Sequence, residues 1–349
     1  MIESGYPLTN WEAVMIEGFE HVGIGVTDIK RSYDFYKNVL RFSTKLNEGE
    51  TVHEELTPII GESSRLATIM AINLSGGAAI ELIEHKSTPP RPMPDVHWGD
   101  IGYLGAGLKA CKIDDLVEIL KGKGAEFVTP VVEFEVSGGG TWKNAFMRDP
   151  DGILLELLET KELREASKKP KIGGFSHLTM GISNMEKSVE FFKRVIGFDV
   201  VELDTEETPS GLEPVTGGQA CRRVCLRQSK EPQSPLPVEA GMVVLVEARG
   251  YEGKPIYEGR RWGDVGIMEM AVEVVEIEDT YKTLLERGAV PFAAPADVDM
   301  GMGSKGFVGY IKDPDGNPFE MVEATKVGFM PPKVVGPLLR AVLKIRSMF

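Results

Sequence analysis

The chain has 349 residues, 42% hydrophobic and 26% charged, with a formal net charge of −14 at pH 7. That length accommodates two domains with separate cores, and the acidic balance argues against nucleic acid and anionic membrane surfaces as partners. No apolar run approaches the ~20 residues of a membrane helix. The N-terminal "MIESGYPLTNWEAVMIEGFE" lacks the basic and apolar regions of a signal peptide. Cys111, Cys221 and Cys225 are too few for a disulfide framework and lack the partners of a zinc site, so a reduced, cytoplasmic protein is expected.

From Gly18, "GFEHVGIGV" alternates Val22, Ile24 and Val26 with His21, Gly23 and Gly25, the period of a strand with two unlike faces. Thr27 and Asp28 supply a helix cap, and Ile29, Tyr33, Tyr36 and Leu40 follow at helical spacing. "RLATIMAINL" and "AAIELIE" then read as strands. At Trp98 the same order begins again: a strand over 101–110, the helix "IDDLVEILKGKGAEF" closed by Gly122 and Gly124, and a "DPDG" turn between "NAFMR" and "ILLELLE". The charged stretch 160–174, with a proline and two final glycines, reads as a linker. Beyond it "GFSHLTMGISNMEKSVEFFKRVIGF" repeats the opening stretch at an offset of 156. "WGDVGIMEMAVEVVEIEDTYKTL" and "IKDPDGNPFEMVE" repeat the second pattern at an offset of 164.

The chain therefore reads as four modules, 18–87, 98–160, 174–250 and 262–326, grouped into domains 18–160 and 174–326 with 161–173 between them. In the tail, 327–349, an apolar stripe (Leu338, Val342, Ile345) runs beside Arg340, Lys344 and Arg346. A helix packed on this chain, or on a second copy to form a homodimer, is preferred to one lying on a membrane surface.

Strand parity picks out the chemistry. Opposite the apolar face of the first strand stand His21, Gly23 and Gly25, and in the second half His177, Thr179 and Gly181. The strands opening the other two modules carry Gly105 and Glu269 at the equivalent step. The strands after the "DPDG" turns carry Glu156 and Glu320 among apolar neighbours, where a carboxylate needs a partner or a cation. An ion pair with arginine or lysine is the structural alternative for both. His53, His85 and His97 lie in polar contexts and read as surface or pocket-rim residues. "GGGTWKN" (138–144) and "MGMGSKG" (300–306) hold matching places as mouth loops or plain hairpins.

The repeated strand–helix–three-strand unit, the histidines of "FEHVGIGV" and "FSHLTMGI", and "DPDG" shortly before an inward glutamate resemble the vicinal oxygen chelate superfamily. That group includes glyoxalase I, methylmalonyl-CoA epimerase, extradiol dioxygenases, and fosfomycin- and bleomycin-resistance proteins. The resemblance runs from about Gly18 to Ala324. It implies an α+β fold of four βαβββ modules that close in pairs into two cup-shaped barrels, each able to hold a divalent metal on ligands from its first and last strands. Carried over residue by residue, His21, Glu81 and Glu156 match in the first half, with Gly105 where a ligand is expected. His177, Glu269 and Glu320 match in the second half, with the remaining position near Val244. Imidazole with carboxylates suits Mn²⁺, Fe²⁺, Co²⁺, Ni²⁺ or Zn²⁺ and leaves room for a small-molecule substrate.

Three functions compete. In a metal-dependent isomerase, epimerase or lyase, the ion stabilises an enediolate and a carboxylate, Glu269 or Glu320, moves the proton. For an extradiol-type dioxygenase, "GYIKDPDGNPFE" resembles that family's closing signature. Against it, Glu269 replaces the second histidine of the facial triad, and no histidine precedes the tyrosine in "GMGSKGFVGY". The third is a protein that only sequesters a small ligand.

Overall fold

The computed structural model describes residues 16–347 apart from 53, 55–56, 233, 235–237 and 328–329. The first module is β1 (Ile16–Gly25), α1 (Ile29–Asn38), β2 (Thr44–Val52), α2 (Thr57–Ile60), β3 (Arg65–Ile72) and β4 (Ala79–His85). The second is β5 (Gly102–Cys111), α3 (Ile113–Lys121), β6 (Glu126–Phe127), β7 (Val132–Glu135), β8 (Thr141–Arg148) and β9 (Leu154–Glu159). A short helix, α4 (Lys161–Ala166), leads to the third: β10 (Lys171–Gly181), α5 (Met185–Phe191), β11 (Val200–Thr205), α6 (Glu213–Thr216), β12 (Cys221–Arg227) and β13 (Met242–Ala248). The fourth is β14 (Gly266–Val274), α7 (Ile277–Glu286), β15 (Val290–Gly301), β16 (Ser304–Lys312) and β17 (Pro318–Lys326), followed by α8 (Pro332–Ser347). The segment read as a linker thus contains α4 and the first residues of β10.

The helices start where the sequence places their caps. Asp28 accepts from the amides of Lys30 and Arg31, and Asn184 from that of Lys187. α3 and α7 begin instead after Lys112 and Glu276 in the left-handed region, with no cap from those side chains. Their first amides turn to a strand: Glu159 accepts from Lys112 and Ile113, and Glu323 from Ile277 at 2.9 Å.

Four modules and two curved sheets are present, but the modules pair differently from the two sequence halves. One sheet runs β15-β16-β17-β14-β1-β4-β3-β2 and the other β11-β12-β13-β10-β5-β9-β8-β6, with β7 beside β8. The first cup therefore joins modules one and four, and the second joins modules two and three. The expected cups, 18–160 and 174–326, are corrected on this point.

Steric fit at the two seams agrees with the exchange. Where β1 lies antiparallel to β14, Gly23 faces Glu269, and a Cβ on Gly23 would stand 2.4 Å from Glu269 Oε1. Where β10 lies antiparallel to β5, His177 faces Gly107, and a Cβ there would stand 1.8 Å from the imidazole. Pairing by halves would set Thr179 under Glu269, so Glu269 would meet a Cβ at this close approach, and it would set Ala271 under His177, which would then have to stand upright as His21 does over Ala271. It would also leave Gly23 facing Gly105 across a void.

A single core fills the space behind the cups, with contributions from all four modules, including Phe42 against Phe175 (5.3 Å between centroids) and Phe192 against Phe319 (5.7 Å). No helix among the described residues is long and apolar enough to cross a membrane. On α8, Val334 and Leu338 are exposed. The side chains of Arg340, Val342, Lys344, Ile345 and Arg346 lie outside the described residues, as do the first fifteen residues and His53.

Because each half contributes one module to each cup, residues 1–166 and 167–349 expressed separately should each lack a cooperative thermal transition and acquire one on mixing. A monomeric half that unfolds cooperatively by itself would refute the exchanged pairing.

Candidate metal centre

Neighbouring strands β17, β14, β1 and β4 each point one polar side chain into the first cup: Glu320, Glu269, His21 and Glu81. The register explains their convergence. Gly23 sits between Glu269 and Glu81, His21 lies two residues back on the same face, and Glu320 pairs with Ala271. One ligand atom from each of the four lies within 4.8 Å of all the others. His21 Nε2 is 3.1 Å from Glu320 Oε2, 3.4 Å from Glu81 Oε2 and 3.9 Å from Glu269 Oε1.

Their remaining atoms are held from behind. Trp262 Nε1 donates to Glu269 Oε2 at 2.5 Å, Tyr310 Oη donates to Glu320 Oε1 at 2.7 Å, and His21 Nδ1 bonds Glu20. His21 Nε2, Glu269 Oε1 and Glu320 Oε2 are left buried, without hydrogen-bonding geometry to any partner. Three unsatisfied atoms turned toward one point, with Glu81 beside them, are what a divalent cation requires of a donor set. The residues fit a metal, and the bonds to Trp262, Tyr310 and Glu20 would fix their orientation.

Electrostatics agree. Burial, and then the charge of Glu320, raises the Glu269 carboxyl well above the ordinary range, and burial likewise raises that of Glu320. Burial opposes a charged His21, but the charge and hydrogen bond of Glu20, then Glu269 and Glu320, outweigh it and raise the imidazole well above its usual value.

The sequence-derived sets are regrouped. His177, Glu269 and Glu320 do not form one site, nor do His21, Glu81 and Glu156. His21 and Glu81 join Glu269 and Glu320, while His177 and Glu156 meet in the second cup. There His177 Nε2 donates to Glu156 Oε2 at 3.0 Å, and Asn144 Nδ2 donates to Glu156 Oε1 at 2.7 Å. Gly105 and Val244 flank Thr179 in that cup as Glu269 and Glu81 flank Gly23 in the first. Both missing ligand positions therefore fall in the same cup.

Glu84, three residues on, faces away from the cup and accepts from the Ile29 amide at 3.0 Å. His85 is buried rather than a surface or rim residue. It accepts from Ser64 at 2.9 Å and donates to the Trp262 carbonyl at 2.8 Å, and burial keeps its pKa below the usual value. His97 is exposed. Of the two glycine-rich stretches, 300–306 forms the β15–β16 turn and brings Met300 into the first cavity, while 138–144 forms the β7–β8 turn and reaches the second through Trp142. Sequence reasoning missed Trp262, although "WGD" stands seven residues ahead of both Glu269 and Gly105. It also missed Glu20 and Glu273, which line the first cavity.

The model of the Glyoxalase/Bleomycin resistance protein/Dioxygenase superfamily matches residues 18–157 and 174–321, most of the chain. The chain belongs to this superfamily. Among solved structures, it is similar to glyoxalase I from Zea mays at 16% identity and a TM-score of 0.52, over 88% of this chain and 92% of that one. It is also similar to a putative dioxygenase from Bacillus subtilis at 15% identity and a TM-score of 0.54, over 94% and 96%. At such identities the likeness is one of fold. No curated protein matches the chain.

Metal binding to this superfamily member should release protons. Glu269 and Glu320 bind protons more tightly folded than unfolded, so their contribution to the stability of metal-free protein is present at low pH. It fades as pH rises from the unfolded carboxylate range through the raised folded values. A divalent ion needs the ionised forms and a neutral His21, so it should raise the thermal midpoint more at pH 8 than at pH 6. Scanning calorimetry with and without Mn²⁺, Co²⁺ or Zn²⁺ reads this, and an equal or smaller shift at pH 8 would contradict the assignment.

Proposed function

We propose that the chain is a divalent-metal-dependent enzyme that moves a proton next to a carbonyl of a small oxygen-rich substrate, as an isomerase, epimerase or lyase, with its active site in the first cup. The observation that carries this reading is the convergence of His21, Glu81, Glu269 and Glu320 with their inner atoms unsatisfied. A bound divalent ion would polarise the substrate carbonyl and lower the barrier to an enediolate.

The chain's own residues divide the remaining work. Trp262 and Tyr310 hold Glu269 and Glu320, both nearly or fully buried, which suits them to stay as ligands. Glu81 accepts no hydrogen bond among the described residues, and its side chain is 18% exposed. It is the carboxylate free to swing and take a proton from a substrate carbon. This refines the assignment of proton transfer to Glu269 and Glu320. Glu273, on the wall of the same cavity, is pushed by burial to about 7 and can donate to or accept from a substrate oxygen near neutral pH. Leu66, Met70, Val308 and Val322 keep water from the reacting carbon. One histidine beside three glutamates fits carboxylate-assisted proton transfer better than the two-histidine facial triad of ring-cleaving dioxygenases.

Protein reconstituted with each metal in D₂O should exchange the α-hydrogen of some member of a panel of α-hydroxycarbonyl compounds, followed by NMR. Glu81→Gln should keep most of the metal and lose at least ~100-fold of the exchange rate, whereas Glu320→Gln should lose the metal itself. Oxygen uptake with catechols in place of exchange would establish the dioxygenase reading. Ligand binding without either reaction would make the chain a sequestering protein.

A further inference from the structure

The second cup holds donors that its own residues do not use. Trp98 occupies the place of Trp262, and its indole Nε1 is buried without a partner, because Gly105 stands where Glu269 would accept from it. Arg223, on β12, is 7% exposed. Its Nη2 donates to the Glu207 carbonyl at 2.7 Å, but its Nε has no partner. Among the described residues no carboxylate lies within ion-pairing distance of Arg223, and burial lowers its pKa. A buried guanidinium without an anion is strongly unfavourable. The charge of Glu156 acts on it only from beyond ion-pairing distance, its oxygens being bound to His177 and Asn144.

Both donors line one cavity, smaller than that of the first cup. Its walls are aromatic. Trp98 meets Phe146 edge-on at 6.5 Å, and Phe134 meets Trp142 in the same way at 6.3 Å. Phe146 replaces Tyr310, Val244 replaces Glu81, and Thr179 occupies the floor that Gly23 leaves open. This cup has two donors on one cavity, aromatic faces and, among the described residues, no cluster of metal ligands.

We propose that the second cup is a metal-independent binding site for a small aromatic monocarboxylate. The ligand's carboxylate takes the Arg223 guanidinium and the Trp98 N–H, supplying from outside the acceptor that the chain lacks at Gly105. Its ring packs between the aromatic walls, where stacking and edge contacts favour a flat apolar body. The proposal is independent of the chemistry assigned to the first cup.

The test uses chelator-treated full-length protein, so that no metal can bind the probe. Phenylacetate should bind saturably, quenching tryptophan fluorescence and raising the thermal midpoint, and phenylacetamide should bind at least ~10-fold more weakly. Trp98→Phe, which keeps the ring and removes only the N–H, should weaken phenylacetate ~5-fold, and Arg223→Lys, which keeps the charge and removes the fork, ~10-fold. Arg223→Met should abolish binding; if that variant fails to fold, the other two carry the comparison. Equal affinity for acid and amide, no saturable binding by the unmodified chain, or affinity unchanged in Trp98→Phe and Arg223→Lys would overturn the proposal.

Discussion

The first cup depends on the burial of Glu269. A carboxylate with no solvent contact is destabilising by several kcal/mol unless donors meet it, and the surrounding structure is arranged around that requirement. Gly23 lies where a Cβ would strike its oxygen, so the glycine leaves room for this posture of Glu269. Trp262 donates to one oxygen, and the Trp262 carbonyl is held by His85, which is held in turn by Ser64. The chain from Ser64 to Glu269 crosses from the first module to the fourth, so the seam that completes the cup also aims the ligand.

The same frame gives the opposite result in the second cup. Without a carboxylate at Gly105, the floor can carry Thr179, and His177 folds down onto Gly107 instead of standing over an alanine. That posture puts its Nε2 within 3.0 Å of Glu156, so the histidine satisfies a structural glutamate and no longer faces an open centre. The ion-pair alternative raised for Glu156 is therefore close to what the fold does, with imidazole as the partner. For Glu320 it is not, because Tyr310 covers one oxygen and leaves the other free.

Much of this was legible in the sequence. Alternation identified β1 and β10 and the inward faces of their histidines, the "DPDG" turns located Glu156 and Glu320, and Gly105 was recognised as a missing ligand, with the other unfilled position placed near Val244. Pairing was not legible from the repeats, because an offset reports covalent order and is blind to which module's edge strand another meets. The information was present in side-chain size, in the contrast between Gly23 and Thr179 and between Gly107 and Ala271, but it has meaning only once two strands are set side by side. His85 was misjudged for a related reason. Its neighbours "EHKS" are polar, and its burial comes from a loop 177 residues away.

The closing strands separate what the fold needs from what the site needs. Three of the four carry glutamates three residues apart, which in a strand point to opposite faces. The outward member is present in all four modules, as Glu84, Glu159, Glu247 and Glu323, and each accepts from amides at the start of its own module's helix. Opposite the helix dipole that carboxylate is stabilising wherever the module is used. The inward member is Glu81, Glu156, Val244 and Glu320, and its loss in the third module leaves the helix cap untouched. A strand can therefore drop or keep its inward carboxylate without altering its own fold. One cup assembles four inward ligands and the other loses two on a scaffold whose helices and seams remain in place.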